Sequence, residues 1–165
     1  LFRSVHKKYR IGEEGDGFKL AMKAFNSSRP FIASASTGVA SAAFEYARDY
    51  AKERKAFGKT IGNHQAVAFM LADMAMDIEA SRLLWQKAAW LLDEKLMAAD
   101  LSAMSKCFAA DAANRVVTNA VQILGGYGFC RDYPVEKMMR DAKILQIFEG
   151  TSQIQRVIIG KSVLS

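Results

Sequence analysis

The residues around Glu149 have the types and the order expected of a catalytic base. Glu149 follows an apolar run and precedes Gly150 at the start of a new predicted helix, within residues 144–153. Burial against Ile147 and Phe148 would desolvate the carboxylate and suit it to general-base work near neutral pH. An acid at a helix N-terminus beside a hydroxyl cap explains the same residues. The local sequence therefore leaves both interpretations open.

Two further stretches have features of a site for phosphate groups and a flat ring. In residues 53–59, Arg54 and Lys55 precede an aromatic residue and a glycine, so that cations can pair with pyrophosphate and a ring can stack. Cations near a helix end also interact favourably with its dipole, which makes this stretch weak by itself. In residues 122–129, three glycines within four positions let a ligand or another backbone approach closely. This run follows a helix and not a strand, so it is not the dinucleotide fingerprint.

Composition and charge exclude several classes of protein. Hydrophobic residues make up 51% and charged residues 24% of 165 residues, which is typical of one globular domain. The net charge of +6 gathers at the ends of predicted elements and not along one helix face, which argues against a nucleic-acid partner. No apolar run reaches the ~20 residues of a membrane span, so we expect no membrane insertion. The two cysteines and two histidines fit no disulfide framework, zinc or di-iron spacing, so we expect no metal site.

The elements that position these stretches must be long helices, because two prolines and eleven glycines leave few places for turns. Apolar residues recur at i, i+3 and i+4 through most of the chain. The predicted helices span residues 18–25, about 30–54 after caps at 26–28, 67–92, 101–123, 134–143 and a last segment after Gly150. A boundary is expected at 93–95 and a firm stop at Gly125. Brief loops between such helices predict an all-α fold, an antiparallel four-helix bundle of the up-and-down type.

Six motifs in register connect the three stretches. They are Glu-Arg-Lys-Ala-Phe-Gly-Lys (53–59), His-Gln-Ala-Val (64–67), Gln-Ile-Leu-Gly-Gly-Tyr-Gly-Phe (122–129), Tyr-Pro-Val-Glu-Lys (133–137), Met-Arg-Asp-Ala-Lys (139–143) and Ile-Phe-Glu-Gly-Thr-Ser-Gln-Ile-Gln-Arg (147–156). With these motifs, the chain from about residue 11 to 160 resembles the C-terminal helical domain of the FAD-dependent acyl-CoA dehydrogenases, and most of all the medium-chain members.

The resemblance implies α,β-dehydrogenation of an acyl-CoA thioester to the trans-2-enoyl-CoA in fatty-acid β-oxidation, with FAD as the cofactor. Glu149 matches the base that removes the α-proton while the β-hydrogen leaves as a hydride to the flavin. The thioester oxygen is held by the N–H of that residue and by a flavin hydroxyl. Positions that match FAD contacts are Thr151 and Gln153 for the same subunit, and Arg54, Phe57, Gln65, Gln122, Gly125 and Gly126 for a neighbouring subunit. Positions that match substrate contacts are Asn26, Arg29, Gly150 and Lys161, with Asn26 where the medium-chain pattern usually has Asp.

The resemblance also implies domain boundaries, partners and location. Residues 1–14 are expected to be the remnant of a junction with a preceding β-domain, and residues 15–165 the helical domain. The implied partners are acyl-CoA, an electron-transfer flavoprotein as electron acceptor, and further copies in a homodimer or homotetramer. The location is the mitochondrial matrix in a eukaryote or the cytoplasm in a bacterium.

Family members carry an N-terminal helical domain and a β-domain that supply the flavin-ring pocket and much of the CoA site. We therefore expect this chain alone to be inactive and to hold FAD weakly. Two other interpretations stay open. The chain could be a non-catalytic helical oligomerisation module, or it could belong to an acyl-CoA oxidase.

Overall fold

The computed structural model describes residues 4–96 and 99–165, and these form a bundle of six α-helices. The helices are α1 (Gly17–Glu53), α2 (Gln65–Asp93), α3 (Ala99–Leu124), α4 (Gly126–Phe129), α5 (Pro134–Leu145) and α6 (Ser152–Leu164). Between α1 and α2 lies an antiparallel hairpin of two short strands, β1 (Lys55–Ala56) and β2 (Lys59–Thr60), which the sequence did not predict. The all-α bundle is confirmed.

Helix α3 lies at the centre of the bundle, where it contacts α1, α2, α5 and α6. Small residues on both α1 and α3 allow the two backbones to approach closely. The fully buried alanines are Ala33, Ala43, Ala47 and Ala51 on α1, and Ala103, Ala110, Ala113 and Ala120 on α3. Because α3 is apolar around most of its circumference, it is stable only when other helices cover it on several sides. Val116 and Val117, both 0% exposed, fill the space between these helices.

The predicted break before Pro30 is wrong, because α1 continues through it as one helix of 37 residues. The hydroxyls taken as caps bond inside the helix instead. Ser27 Oγ donates to the Lys23 carbonyl at 3.3 Å, and Ser28 Oγ lies 3.3 Å from the Phe25 carbonyl oxygen. Proline removes one backbone hydrogen bond from a helix. The buried residues of α1 begin at Arg29 and Pro30, and packing of α1 against α3 outweighs that loss.

The other helix boundaries follow the sequence closely. Helix α2 ends at Asp93, and Lys95 has a left-handed backbone with φ of 57°. Gly125, with φ of 61°, follows the last residue of α3, and Pro134 begins α5. Of the predicted junction segment, residues 1–3 lie outside the described residues, and residues 4–14 are exposed. In the described part of the chain, none of the helices combines the length and apolar character that crossing a bilayer demands.

Candidate functional site

Glu149 lies in the loop between α5 and α6, beside the first third of α1. Its φ of 56° and the φ of 87° at Gly150 put two consecutive residues in the left-handed region. Ser28 Oγ donates to Glu149 Oε2 at 2.5 Å, although 121 residues separate the two along the chain. A hydrogen bond from a hydroxyl to a carboxylate is charge-assisted, so it fixes one carboxylate oxygen, while the other accepts no hydrogen bond from the described residues.

Two buried side chains donate hydrogen bonds to the backbone carbonyl groups of Glu149 and Gly150. Gln155 Nε2 donates to the Glu149 carbonyl at 3.1 Å and to the Gly150 carbonyl at 2.9 Å. Lys106 Nζ, from the centre of α3, also donates to the Gly150 carbonyl at 2.8 Å. Both side chains are 0% exposed. Within residues 4–96 and 99–165, the Glu149 N–H itself donates no hydrogen bond, so it remains available to a ligand.

Two buried cations stand close to the Glu149 carboxylate. Burial lowers the pKa of the Lys106 ammonium. Arg29 is 2% exposed, and burial lowers the pKa of its guanidinium while the charge of Glu149 acts in the opposite direction. Arg29 Nη1 donates to Asn26 Oδ1 at 2.7 Å, which brings two of the predicted substrate positions into contact. The positive field of these cations favours negative charge at the loop.

The predicted apolar cover over Glu149 is wrong for this chain by itself. Ile147 and Phe148 are 50% and 38% exposed, so neither is buried against the carboxylate. The cap of the alternative interpretation is confirmed. Thr151 is the N-cap of α6, and its Oγ1 accepts from the N–H of Ile154 at 3.2 Å. Glu149 lies two residues before this cap, and its carboxylate accepts a hydrogen bond from Ser28 of α1.

A second group of predicted residues meets at a cleft of 460 Å³ beside the end of α3. Arg54, Gly125 and Gly126 line it together with aromatic residues. The Arg54 guanidinium lies 5.7 Å from the centre of the Tyr127 ring, which holds the cation at the rim of the cleft. A Cβ added at Gly126 would meet nothing within 4 Å, so open space adjoins that backbone.

The other predicted positions near this cleft lie on the surface and do not line it. Phe57, at the turn of the hairpin, is 95% exposed, and Gln65 and Gln122 are also exposed. Exposed side chains of this kind can contact a ligand that extends beyond the cleft. Lys161, the remaining predicted substrate position, is exposed. It lies in the last turn of α6, at the opposite end of that helix from the Glu149 loop along the chain.

Thr151 and Gln153 line a separate open cleft of 840 Å³ between α3, α5 and α6. Asp111 forms part of its floor and accepts hydrogen bonds from Gln146 Nε2 at 2.7 Å, Ser152 Oγ at 3.0 Å and Arg156 Nη2 at 2.5 Å. Burial acts to raise the pKa of Asp111, but these hydrogen bonds outweigh it and hold the pKa below its usual value. The network anchors the start of α6, and with it Thr151.

Sequence reasoning missed Ser28, Lys106 and Gln155 as residues of this site. Lys106 did leave a signal, because it is the one cation between Lys95 and Arg115 in a run of small and apolar residues. A lone cation on a buried face indicates a specific acceptor. In the described part of the chain, no group of three or more His, Cys, Asp or Glu side chains is placed to hold a metal ion.

Comparison with known proteins gives consistent matches over nearly the whole chain. Residues 15–164 match the family described as "Acyl-CoA dehydrogenase, C-terminal domain". The chain is 47% identical over 154 residues to cyclohexane-1-carbonyl-CoA dehydrogenase of Geobacter metallireducens, covering 93% of this chain and 40% of that protein.

Solved structures give the same coverage. Butyryl-CoA dehydrogenase from Megasphaera elsdenii matches with 46% identity and a TM-score of 0.91, over 93% of this chain and 40% of that one. A chain in a structure titled "Electron transferring flavoprotein of Acidaminococcus fermentans: Towards a mechanism of flavin-based electron bifurcation" matches with 48% identity, a TM-score of 0.91 and the same 93% and 40%. The chain thus spans about 40% of the length of each of these relatives.

Proposed function

Since the chain belongs to the acyl-CoA dehydrogenase family and matches the C-terminal domain of that family, we propose that it supplies the catalytic base of a FAD-dependent acyl-CoA dehydrogenase. The observation that carries the proposal is the arrangement at Glu149. One carboxylate oxygen is fixed by Ser28, the backbone is held in the left-handed region, and the N–H donates no hydrogen bond to the described residues. We propose that this domain works within a longer polypeptide, with residues 1–14 at the junction to a β-domain.

In this reaction the Glu149 carboxylate takes the proton from the α-carbon of the acyl thioester. The Glu149 N–H donates to the thioester oxygen, on which negative charge develops as the proton leaves. Gly150 has no side chain to separate the loop from the thioester. The buried Arg29 stabilises the developing charge through its field, and the electron pair of the broken α-C–H bond forms the new double bond.

The residues of the two clefts fit FAD. Arg54 is held at the rim of the 460 Å³ cleft and can pair with phosphate, while the open space beside Gly126 admits a ligand close to the backbone. The exposed ring of Phe57 is free to stack on a flat ring. Thr151 and Gln153 present polar groups at the 840 Å³ cleft. FAD, when bound, supplies the acceptor for the hydride that leaves the β-carbon.

The wider context is part of the same proposal. Fatty-acid β-oxidation as the process and an electron-transfer flavoprotein as electron acceptor remain proposals, and the match to a chain in an electron-transferring-flavoprotein structure supports the second. The relatives named above are bacterial, so they support a bacterial setting. They give no support to a location in the mitochondrial matrix.

We infer that the 165-residue chain alone binds FAD weakly, because charge contacts at an open surface contribute only about 0–1 kcal/mol each.

Substitution of Glu149 in the intact protein tests the proposal. Glu149→Gln keeps the size and shape of the side chain but cannot accept the proton, so flavin reduction by octanoyl-CoA should slow by about three or more orders of magnitude, as seen in stopped-flow absorbance. FAD content and acyl-CoA binding should stay near those of the wild type. The matched control is Glu94→Gln, an exposed residue that follows α2.

A slowing of less than about tenfold would assign the base to another residue. Intact wild-type protein that binds neither FAD nor acyl-CoA would favour the non-catalytic oligomerisation module. Rapid reoxidation of the reduced flavin by oxygen would favour an acyl-CoA oxidase.

A further inference from the structure

The backbone at Glu149 is held in a conformation that a glutamate does not adopt readily. A side chain with φ near 56° brings its Cβ close to backbone atoms, which is why this region favours glycine. The next residue, Gly150, continues the left-handed path with φ of 87°. Some interaction outside the loop must therefore stabilise these two peptide units.

That interaction comes from two fully buried side chains on other elements. Lys106 of α3 and Gln155 of α6 both donate to the Gly150 carbonyl, at 2.8 Å and 2.9 Å. The contact from Lys106 spans 44 residues of sequence and ties the loop to the central helix of the bundle. A Cβ at Gly150 would lie 2.7 Å from Gln155 Nε2, so the loop and its donors are in close contact.

A buried lysine such as Lys106 is energetically unfavourable as a purely structural contact. Its side chain is 0% exposed, and the salt bridges found among the described residues do not include it. Taking an ammonium group out of water is unfavourable unless a close anion compensates. Here a single peptide carbonyl is its hydrogen-bond partner in the described part of the chain. Stability alone would favour an apolar residue at this place in the core.

We propose that Lys106 is a positioning residue, which acts through the Gly150 carbonyl to hold Glu149 in its left-handed conformation. With this carbonyl held, the Glu149 side chain reaches Ser28, and the Glu149 N–H donates no hydrogen bond to the described residues. The positioning of the loop stands on contacts in this chain. Its catalytic consequence rests on the proposed function of Glu149 as the base.

The substitution Lys106→Met separates positioning from stability. Methionine has a similar length but no donor, and the Gly150 carbonyl keeps its hydrogen bond from Gln155. Because the change removes a buried ammonium that forms no salt bridge among the described residues, the melting temperature of the 165-residue chain should stay constant or rise. Hydrogen exchange of the amides in residues 147–151 should quicken by about tenfold, while exchange in α1 and α3 stays constant. Lys87→Met, at an exposed lysine of α2, is the matched control. It should change neither the melting temperature nor the hydrogen exchange of residues 147–151.

The intact protein provides the catalytic measurement. Lys106→Met should lower kcat by about tenfold or more and change KM for acyl-CoA by less than about threefold, because it displaces the base without removing a substrate contact. Gln155→Met removes the second donor and should quicken exchange in the same segment. It serves as the test if Lys106→Met does not fold.

Several outcomes would overturn the proposal. Unchanged exchange in residues 147–151 would show that Lys106 does not hold the loop. A fall in melting temperature with faster exchange throughout the chain, in both variants, would make Lys106 a stability residue. Faster exchange in the loop with unchanged kcat would show that the position of Glu149 does not depend on it. If the variants of the chain behave as expected but the intact wild type shows no dehydrogenation, the proposed function fails and the positioning of the loop stands.

Discussion

The hydrogen bond between Ser28 and Glu149 joins two residues that each have an ordinary local role available. Ser28 lies inside α1, where its hydroxyl can also donate to the Phe25 carbonyl at 3.3 Å. The shorter distance of 2.5 Å to Glu149 Oε2 favours the carboxylate as acceptor. The bond orients the carboxylate so that its second oxygen is free to take a proton.

Ser28→Ala in the intact protein should therefore lower kcat by about tenfold, which corresponds to the ~1.5 kcal/mol of a hydrogen bond to a charged group. Ser28→Thr keeps the hydroxyl and should restore most of the activity. Stopped-flow flavin reduction measures both. Equal rates in the Ala and Thr variants would mean that the hydroxyl does not position the base.

Asp111 gives the chain an acid-sensitive anchor. Its side chain is 17% exposed, and its pKa is held below the usual value by hydrogen bonds that outweigh the effect of burial. A carboxyl with a lower pKa in the folded state contributes stability that is fully present above its unfolded pKa of about 4. This contribution is lost as the pH falls through the folded pKa.

Asp111→Asn should lower the free energy of unfolding by about 1–3 kcal/mol at pH 7. The difference from the wild type should shrink as the pH falls below about 4. Urea unfolding followed by circular dichroism at pH 7, 4 and 3 measures this. Asp73→Asn, an exposed residue of α2, is the control. A difference that stays constant across these pH values would contradict the role of the Asp111 charge.

At the scale of elements, the glycines between α3 and α4 have separate roles. Gly125 has a positive φ and ends α3, while Gly126 faces open space. Gly128 lets α4 lie against α3, because a Cβ there would be 2.5 Å from the Val121 carbonyl oxygen. For the glycines of residues 122–129, the sequence allowed close approach of either a ligand or another backbone. Approach of another backbone applies at Gly128. Approach of a ligand remains available at Gly126.

Gly128→Ala should destabilise the chain by about 1–3 kcal/mol, because α4 must move away from α3. Gly126→Ala meets no neighbour and should change the free energy of unfolding by less than about 0.5 kcal/mol. Thermal unfolding of the two variants side by side makes the comparison. Equal destabilisation of the chain by the two substitutions would contradict the separate roles of Gly126 and Gly128.

At the scale of the whole molecule, α2 presents an apolar stripe to solvent. Its members recur every seven residues and are between 56% and 63% exposed: Phe69, Met76, Leu83 and Trp90. A spacing of seven residues is close to two helical turns, so these side chains lie on one face. An apolar face of this length is typical of a surface that another protein surface covers.

We therefore expect the chain to self-associate as a dimer or tetramer. Leu83→Glu should shift it toward the 18.2 kDa monomer in sedimentation velocity experiments, because it puts a charge in the middle of the stripe. Lys23→Glu, an exposed residue of α1 outside the stripe, should leave the assembly unchanged. A wild-type chain that stays monomeric at concentrations on the order of tens of micromolar would refute the prediction.

The sequence by itself determined the local structure of this protein. The apolar periodicity of α2 and α3, the stop at Gly125 and the start at Pro134 depend on residues within one or two turns of each other. The motifs that carry the resemblance are also contiguous segments, which is why the family could be identified before the structure. The all-α fold follows from the same short-range patterns.

The tertiary structure decided the features that depend on contacts between distant residues. Pro30 remains inside α1 because packing of this helix against α3 outweighs the loss of one backbone hydrogen bond. Ile147 and Phe148 are exposed although they are apolar, since exposure depends on which surfaces face the loop. Lys106 and Ser28 reach the Glu149 loop across 44 and 121 residues. Periodicity shows which face of a helix is buried, but the donor or acceptor opposite a given side chain is set by how the helices pack.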